Sequence, residues 1–310
     1  MKNKIAFLVL IFSIVFFSCK KKDNTTTDNT KYLIFKFKFD STQVRLNNLG
    51  NPSIIPSNHG AQSPQFNSIS AHYFELAPNA YTALGQGKVL YHAPENTLGG
   101  DTAIDFNQAI IKSQGEEYLK IPLKDVVGTF NFIRVSLAYQ NYAIKLNVNN
   151  PINGTPLTMK GTLASFVGFN TYIQQCKIKD STITVNDDKL QGYWAFEFYP
   201  NAFIPSNYLP VLRGQTPPGA TTVPNPLAAS SPIPAGSCVV TGQFVSPLII
   251  AGNETNDIIV TVYLSINKSF EWSETDGDNI YEPLGADNIS NTADDEKVVD
   301  MGLRGLIPSF

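Results

Sequence analysis

Charge is scarce in this sequence, and so are cysteine, histidine and tryptophan. Asp, Glu, Lys and Arg supply 16% of the 310 residues, against roughly 25% in ordinary soluble domains, and 26 acids nearly balance 23 bases. So even a balance excludes a general nucleic-acid binder, which carries a basic excess. There is no CxxC pair, which disfavours dithiol redox catalysis. GxSxG, HExxH, zinc-spaced Cys/His sets and a phosphate-cradling Gly-rich loop are missing as well. No apolar run reaches the roughly 20 residues a helix needs to cross a bilayer. Helical periodicity is equally short: 20 prolines and 21 glycines are spread through the chain, and the best amphipathic stretch is Asp105–Lys112.

What the first residues do contain is an address. Lys2 and Lys4 precede an uncharged apolar run, Ile5 to Phe17, which has the length of a secretory h-region. It ends in Phe16-Phe17-Ser18-Cys19. A small residue followed by Cys here resembles the lipobox of bacterial lipoproteins, with Phe at two positions where the pattern is usually less bulky. The resemblance implies a signal peptide over residues 1–18, cleavage before Cys19, and diacylglycerol and palmitate-type acylation of that residue. Two or three acyl chains hold a protein stably where one does not, at about 0.8 kcal/mol per buried methylene. Residues 19–31 then read as the lipidated Cys and a polar, aperiodic tether. Lys20, rather than Asp, after the Cys implies by the same resemblance an outer-membrane location, on the periplasmic face or the cell surface. The expected body is a soluble domain on a lipid leash.

From residue 32 the dominant period is two. Leu33, Phe35, Phe37 and Phe39 alternate with Lys36 and Lys38, as in a strand with one dry and one wet face. A dozen further short runs rich in Val, Ile, Thr, Phe and Tyr, among them Ile69–Leu76, Lys88–His92, Phe130–Tyr139, Ala143–Val148, Tyr193–Tyr199 and Asp257–Ile266, are bounded by Gly, Asn, Asp and Pro. The fold class is therefore all-β: a large or tandem antiparallel β-sandwich with long loops. A polar, turn-rich stretch at Asn149–Lys160 suggests a soft boundary between a first half, 32–148, and a second half, 161–310. Residues 199–236 hold nine prolines and form a long loop whose apolar first half is expected to lie on a sheet.

After Cys19 only Cys176 and Cys238 remain. In an oxidising compartment they either pair, which would stabilise by roughly 4 kcal/mol in the chain-entropy treatment, or stay as buried thiols.

Two clusters of residues carry candidate chemistry. Residues 271–300 hold ten carboxylates against one base, Lys297. Within them Glu274-Thr275-Asp276-Gly277-Asp278-Asn279-Ile280-Tyr281-Glu282 resembles the calcium loops of dockerin and thrombospondin type 3 repeats. Calcium takes six to eight oxygens from a tight loop, so Glu274, Asp276, Asp278 and Glu282 would offer side chains and Ile280 its carbonyl. Glu stands at position 1, Asn279 replaces the turn Gly, and Gly285 replaces the bidentate Glu. Asp287, Asp294 or Asp295 must then complete the shell. The other cluster is histidine: His59, His72 and His92 all fall in one short stretch with Glu75 and Glu95 nearby, a donor set suited to a transition metal. His72 shares a strand face with Phe74 and Leu76, however, which is the pattern of a core residue.

The strand Phe35-Lys36-Phe37-Lys38-Phe39-Asp40, then Phe66-Asn67-Ser68-Ile69-Ser70, Pro122-Leu123, Gly128-Thr129-Phe130 and Ile133-Arg134-Val135 resemble the layout of MbnP-like periplasmic copper-associated lipoprotein sandwiches. That likeness covers residues 32–140 and carries no metal ligand across. Aromatic residues Trp194, Trp272, Tyr139 and Tyr142 are candidates for stacking on a sugar or other ligand. The expected function is a membrane-anchored, non-catalytic binding or structural module for a protein or carbohydrate ligand, stabilised by Ca²⁺. The alternatives are a carbohydrate-active hydrolase and a metal-handling, copper-associated periplasmic protein.

Overall fold

In the computed structural model, residues 29–150, 153–201, 204 and 209–310 are described; the signal segment, Cys19 and nearly all of the tether lie outside them. Lys31–Phe310 forms one compact unit.

The first strand, β1 (Tyr32–Asp40), shows how the period of two becomes a core. Leu33, Phe35 and Phe37 are buried on one face while Lys38 is exposed on the other. Strand β1 lies parallel to β15 (Ile258–Ser265) and antiparallel to β7 (Leu119–Pro122), and β18 (Leu306–Ser309) extends the sheet beyond β15. This four-stranded layer joins the start of the body to its end. Its apolar face packs on a seven-stranded sheet ordered β13-β12-β9-β8-β3-β4, with β14 also paired to β8. These strands are β3 (Gln65–Ala77), β4 (Lys88–His92), β8 (Gly128–Asn149), β9 (Pro156–Phe166), β12 (Tyr193–Phe198), β13 (Leu212–Gln215) and β14 (Val239–Ile250). Phe35, Phe37, Phe74, Ile133, Val135, Val240, Val260 and Val262 meet between the two layers, so the body is an all-β sandwich.

β8 is the spine. Its 22 residues pair with β3 along one edge and with β14 and then β9 along the other. From the residue pattern it reads as two strands, because Gln140-Asn141 interrupts the apolar run. Both amides are buried and bonded: Gln140 Nε2 donates to the Met301 carbonyl at 2.7 Å and Asn141 Nδ2 to the Ile178 carbonyl at 2.9 Å. These bonds offset the burial of the two amide nitrogens.

The farther half of the sheet is covered on both faces, and the alternation along β9 and β12 divides accordingly. Leu163, Phe196 and Phe198 enter one core with Phe270, Trp272 and Tyr281. Ala164, Phe166, Tyr193 and Ala195 enter another with Ile173, Cys176 and Ile183. The second covering layer is β11-β10-β6-β5, built from β5 (Glu95–Asn96), β6 (Ala103–Asp105), β10 (Asn170–Lys177) and β11 (Thr182–Leu190). A three-stranded ribbon completes the fold: β2 (His59–Gln62), β16 (Phe270–Ser273) and β17 (Val298–Asp300), in the order β17-β16-β2.

Two expectations change here, and the alternatives left open for the cysteines narrow to one. The soft boundary at 149–160 is the turn of the β8–β9 hairpin, and the halves share one sheet, since turn chemistry marks hairpins as readily as linkers. Asp105–Lys112 holds only a three-residue 3₁₀ turn, Phe106–Gln108, whose cap is the Asp105 carboxylate accepting the Asn107 N–H at 3.0 Å. The cysteines are free thiols. Cys176 lies on β10 with its side chain buried among Tyr139 and Phe166, whereas Cys238 precedes β14, where Gln191 Nε2 is 3.3 Å from its sulfur. Burial pushes the Cys176 thiol up to about 12 and Cys238 up to about 11. The Pro-rich stretch, which reads as a loop, contains an edge strand, Leu212–Gln215, paired with β12; of its apolar first half Ile204 and Leu212 are buried in the core, while Phe203 and Tyr208 lie outside the described residues.

Candidate functional site

The acidic loop is the connection from β16 to β17. β16 is anchored by Trp272, which is fully buried against Phe270 and Tyr281. Gly60 on β2 lies directly beneath the indole; a Cβ there would sit 2.3 Å from it. Trp272 is therefore a core residue and cannot stack on a ligand, and Tyr139 and Tyr142 are buried in the same way. All three fit the ordinary use of aromatics alternating along a strand, as cross-strand and core contacts.

Beyond Ser273 the chain turns tightly under its own side-chain oxygens. Glu274 Oε1 accepts from Gly277 N at 3.1 Å, Asp276 Oδ1 from Asp278 N at 3.1 Å, and Asp278 Oδ1 from Ile280 N at 2.7 Å. Asn279 takes the left-handed conformation (φ 58°) in the place of the usual Gly, as Asn does more readily than most residues, and its Oδ1 accepts from Ala61 N. Asp276, Asp278 and Glu282 bring one oxygen each within 4.8 Å of one another, and so do Glu274, Asp276 and Glu296. Both groups can hold a metal ion. Three of the six sequence candidates, Asp276, Asp278 and Glu282, thus meet through their side chains; Glu274 meets Asp276 in the other group, and Ile280 lies in the same turn.

Glu296 is the member that sequence reasoning missed. It lies far along the chain and enters because the loop closes antiparallel, with Glu296 N donating to the Glu282 carbonyl at 3.1 Å. Its carboxylate is buried, accepting from Thr275 N at 3.1 Å and Glu282 N at 2.7 Å. Burial pushes Glu296 up to about 8 despite those bonds, and Glu274 beside it adds to the rise. Burial likewise raises Glu282, with Asp276, Asp278 and Glu274 contributing. Burial works against Glu274 as well, but its hydrogen bonds outweigh it and hold that carboxyl below its ordinary value; carboxylates gathered this closely focus a negative potential.

Asp287 does not complete that shell. It belongs to a separate group with Asp294 and Asp295. Between the two turns the chain dips into the core at Tyr281 and Leu284, and Tyr281 is fastened to the end of β8 through its carbonyl, which accepts from Asn147 N at 2.8 Å. The second turn again wraps its acids in N–H groups: Asp287 Oδ1 accepts from Ile289 N at 2.7 Å, Asp294 Oδ2 from Ala286 N at 2.8 Å, and Asp295 Oδ2 from Asn291 and Thr292 N. Asn288 and Asn291 have positive φ.

Beside these turns is a cleft of about 440 Å³. Trp194, half-buried on β12, lines one side with Arg213 and Gln215 from β13; Asn291, Asp295 and Glu296 line the other. Of the four aromatic candidates, Trp194 is the one presented to a cavity. Of the acids in these turns, Asp295 and Glu296 thus reach the wall of the cleft.

The histidines divide. His59, on β2, is 2.9 Å through Nδ1 from Glu271 Oε2, and is part of a buried charge network in which Arg45 and Arg304 also bind Glu271. His72 and His92 instead meet each other and Glu95. The chain matches no family model, no curated protein and no solved structure.

Proposed function

We propose that this protein is a lipid-anchored lipoprotein of the outer membrane or cell surface whose β-sandwich is a non-catalytic binding module, with Ca²⁺ holding the C-terminal turns that wall the Trp194 cleft. The observation that carries this reading is the convergence of two successive Asx-rich turns, around Asp276-Asp278-Glu282 and Asp287-Asp294-Asp295, on sets of oxygens spaced for an ion, at the edge of that cleft. Hard oxygen donors from short loops suit calcium better than any nitrogen- or sulfur-seeking metal. An aromatic face ringed by guanidinium, amide and carboxylate groups suits a polyhydroxylated ligand such as a saccharide. Hydrolysis would need a pair of free carboxyl groups about 5–9.5 Å apart. The cleft's Asp295 and Glu296 instead have both oxygens accepting bonds from the loop itself, which favours binding over catalysis. The anchor rests on Cys19 and the apolar run before it.

Calorimetric titration of the chelator-stripped full chain with CaCl₂ tests the reading. Two ions per chain are expected, with Asp278→Ala removing one and Asp287→Ala the other. Absence of binding heat, or uptake indifferent to both substitutions, would contradict it.

A further inference from the structure

We propose that His72, His92 and Glu95 form a binding site for one divalent transition-metal ion of the zinc class, independent of the acidic turns. Three donor atoms come together within hydrogen-bond distance of one another. His72 Nε2 is 2.8 Å from Glu95 Oε1, His92 Nε2 is 3.2 Å from the same oxygen, and the two Nε2 atoms are 3.1 Å apart.

The triangle has the dimensions of one face of a coordination polyhedron. Its circumscribed radius is about 1.8 Å, so an ion with bonds of about 2.0–2.1 Å to all three atoms would sit roughly 1 Å out of their plane. Two imidazoles and one carboxylate on one face leave the opposite face open, the arrangement of sites that retain water or an exogenous ligand. The exposure is graded to match: His72 is nearly enclosed, Glu95 is partly exposed, and His92 is half open to solvent at 53%. Two nitrogens also discriminate against calcium and magnesium, which prefer oxygen.

The backbone explains how a residue with a core pattern comes to face outward. Phe74 and Leu76, which share the nominal face of His72, are fully buried. The pairing of β3 with β8 slips between Ala71 and Tyr73, so that His72 is the extra residue of a β-bulge. A bulge disturbs the alternation and re-aims one side chain, and bulges are over-represented beside functional sites. Here it turns His72 toward His92, whose register partner on β3 is Tyr73. The chain then folds back at Ala93-Pro94 to bring Glu95 Oε1 to the Nε2 atoms of both rings. Ala93 N donates to the His72 carbonyl at 2.7 Å and the Pro94 carbonyl accepts from Asp105 N at 2.9 Å, which fixes the turn on two sides. Phe169 packs its ring 5.4 Å from that of His72, screening one flank.

Cobalt(II) is the probe, because a site with nitrogen donors and low coordination number gives strong visible d–d absorption, whereas all-oxygen octahedral sites absorb weakly. The full chain in detergent, with excess Ca²⁺ present to occupy the acidic turns, is titrated with CoCl₂ and then with ZnCl₂. The expected result is an intense band that saturates at one cobalt per chain and is abolished by one equivalent of zinc. His92→Ala and Glu95→Gln, both at exposed positions, should lose the band while keeping the wild-type circular dichroism. His59→Ala should retain it. Failure of the wild type to develop the band would overturn the proposal, as would a band unchanged in His92→Ala or lost only in His59→Ala. Since calcium uptake by the acidic turns is measured separately, either site can fail without the other.

Discussion

Glu271 is a buried charge shared by Arg45, His59 and Arg304, and replacing it by Gln gives a quantitative test of how these distant segments are held together. It sits on β16, 2% exposed, and accepts from Arg304 Nη2 at 3.0 Å, from Arg45, and from His59 at 2.9 Å. Arg304 is itself buried, and Arg45 nearly so. Glu271→Gln preserves shape but leaves two guanidinium groups with too little negative charge; Asp300 still pairs with Arg304, so the deficit falls mainly on Arg45. Breaking a buried ion pair from one side costs about 3–5 kcal/mol. For a unit of about 280 residues, at roughly 2.1 cal/mol/K per residue, that is a fall in Tm of about 5–8 °C. The pH dependence has a definite sign. Burial alone would raise Glu271, but His59, Arg304 and Arg45 together outweigh it and hold the carboxyl below its ordinary value. A carboxyl lowered in the folded state stabilises above its unfolded pKa, near 4.3, and the contribution fades as pH falls through the folded value. Urea denaturation of wild type and Glu271→Gln at pH 7 and near pH 3 is the assay. The gap should be full at pH 7 and shrink markedly at the lower pH. A loss below about 1 kcal/mol at pH 7, the range of a surface ion pair, would refute the reasoning, as would a gap that does not change with pH.

Two further outcomes follow from the thiols. Cys176, buried and with its thiol pushed up to about 12, should resist iodoacetamide in the native protein and react on unfolding, read by mass spectrometry; rapid native labelling would contradict its burial on the inner face of β10. Labelled palmitate should be incorporated in a bacterial host and lost in Cys19→Ala; equal labelling of the two would remove the anchor.

The sheets were legible in the residues because strand patterning is local. Alternation along β1 and the short β-branched and aromatic runs place most strands within a few residues of where they lie. The failures occur where tertiary contacts override that pattern. β8 reads as two strands because nothing local reveals that Met301 and Ile178 carbonyls await Gln140 and Asn141. His72 has a core pattern, and only the bulge opposite Leu137 and Ser136 reverses it. The tight turn at Asp276-Gly277-Asp278 was visible from its spacing, since Asx turns are built from neighbours. Glu296 was not, because it arrives by loop closure, and Glu95 lies near His92 in sequence but meets His72 only through the β3–β4 pairing. Trp194 and Trp272 cannot be told apart by type; their faces are decided by whether β13 or β2 packs beside them.

Differential scanning calorimetry of the full chain, with calcium and then with a calcium chelator, tests the central claim most directly. Calcium at about 100 times its Kd should stabilise by about 2.7 kcal/mol for each occupied site, which for this unit is a rise in Tm of about 4–5 °C per site. The account predicts that rise, its reversal by chelator, and a smaller rise in Asp278→Ala. A Tm that is the same with calcium and with chelator would contradict it.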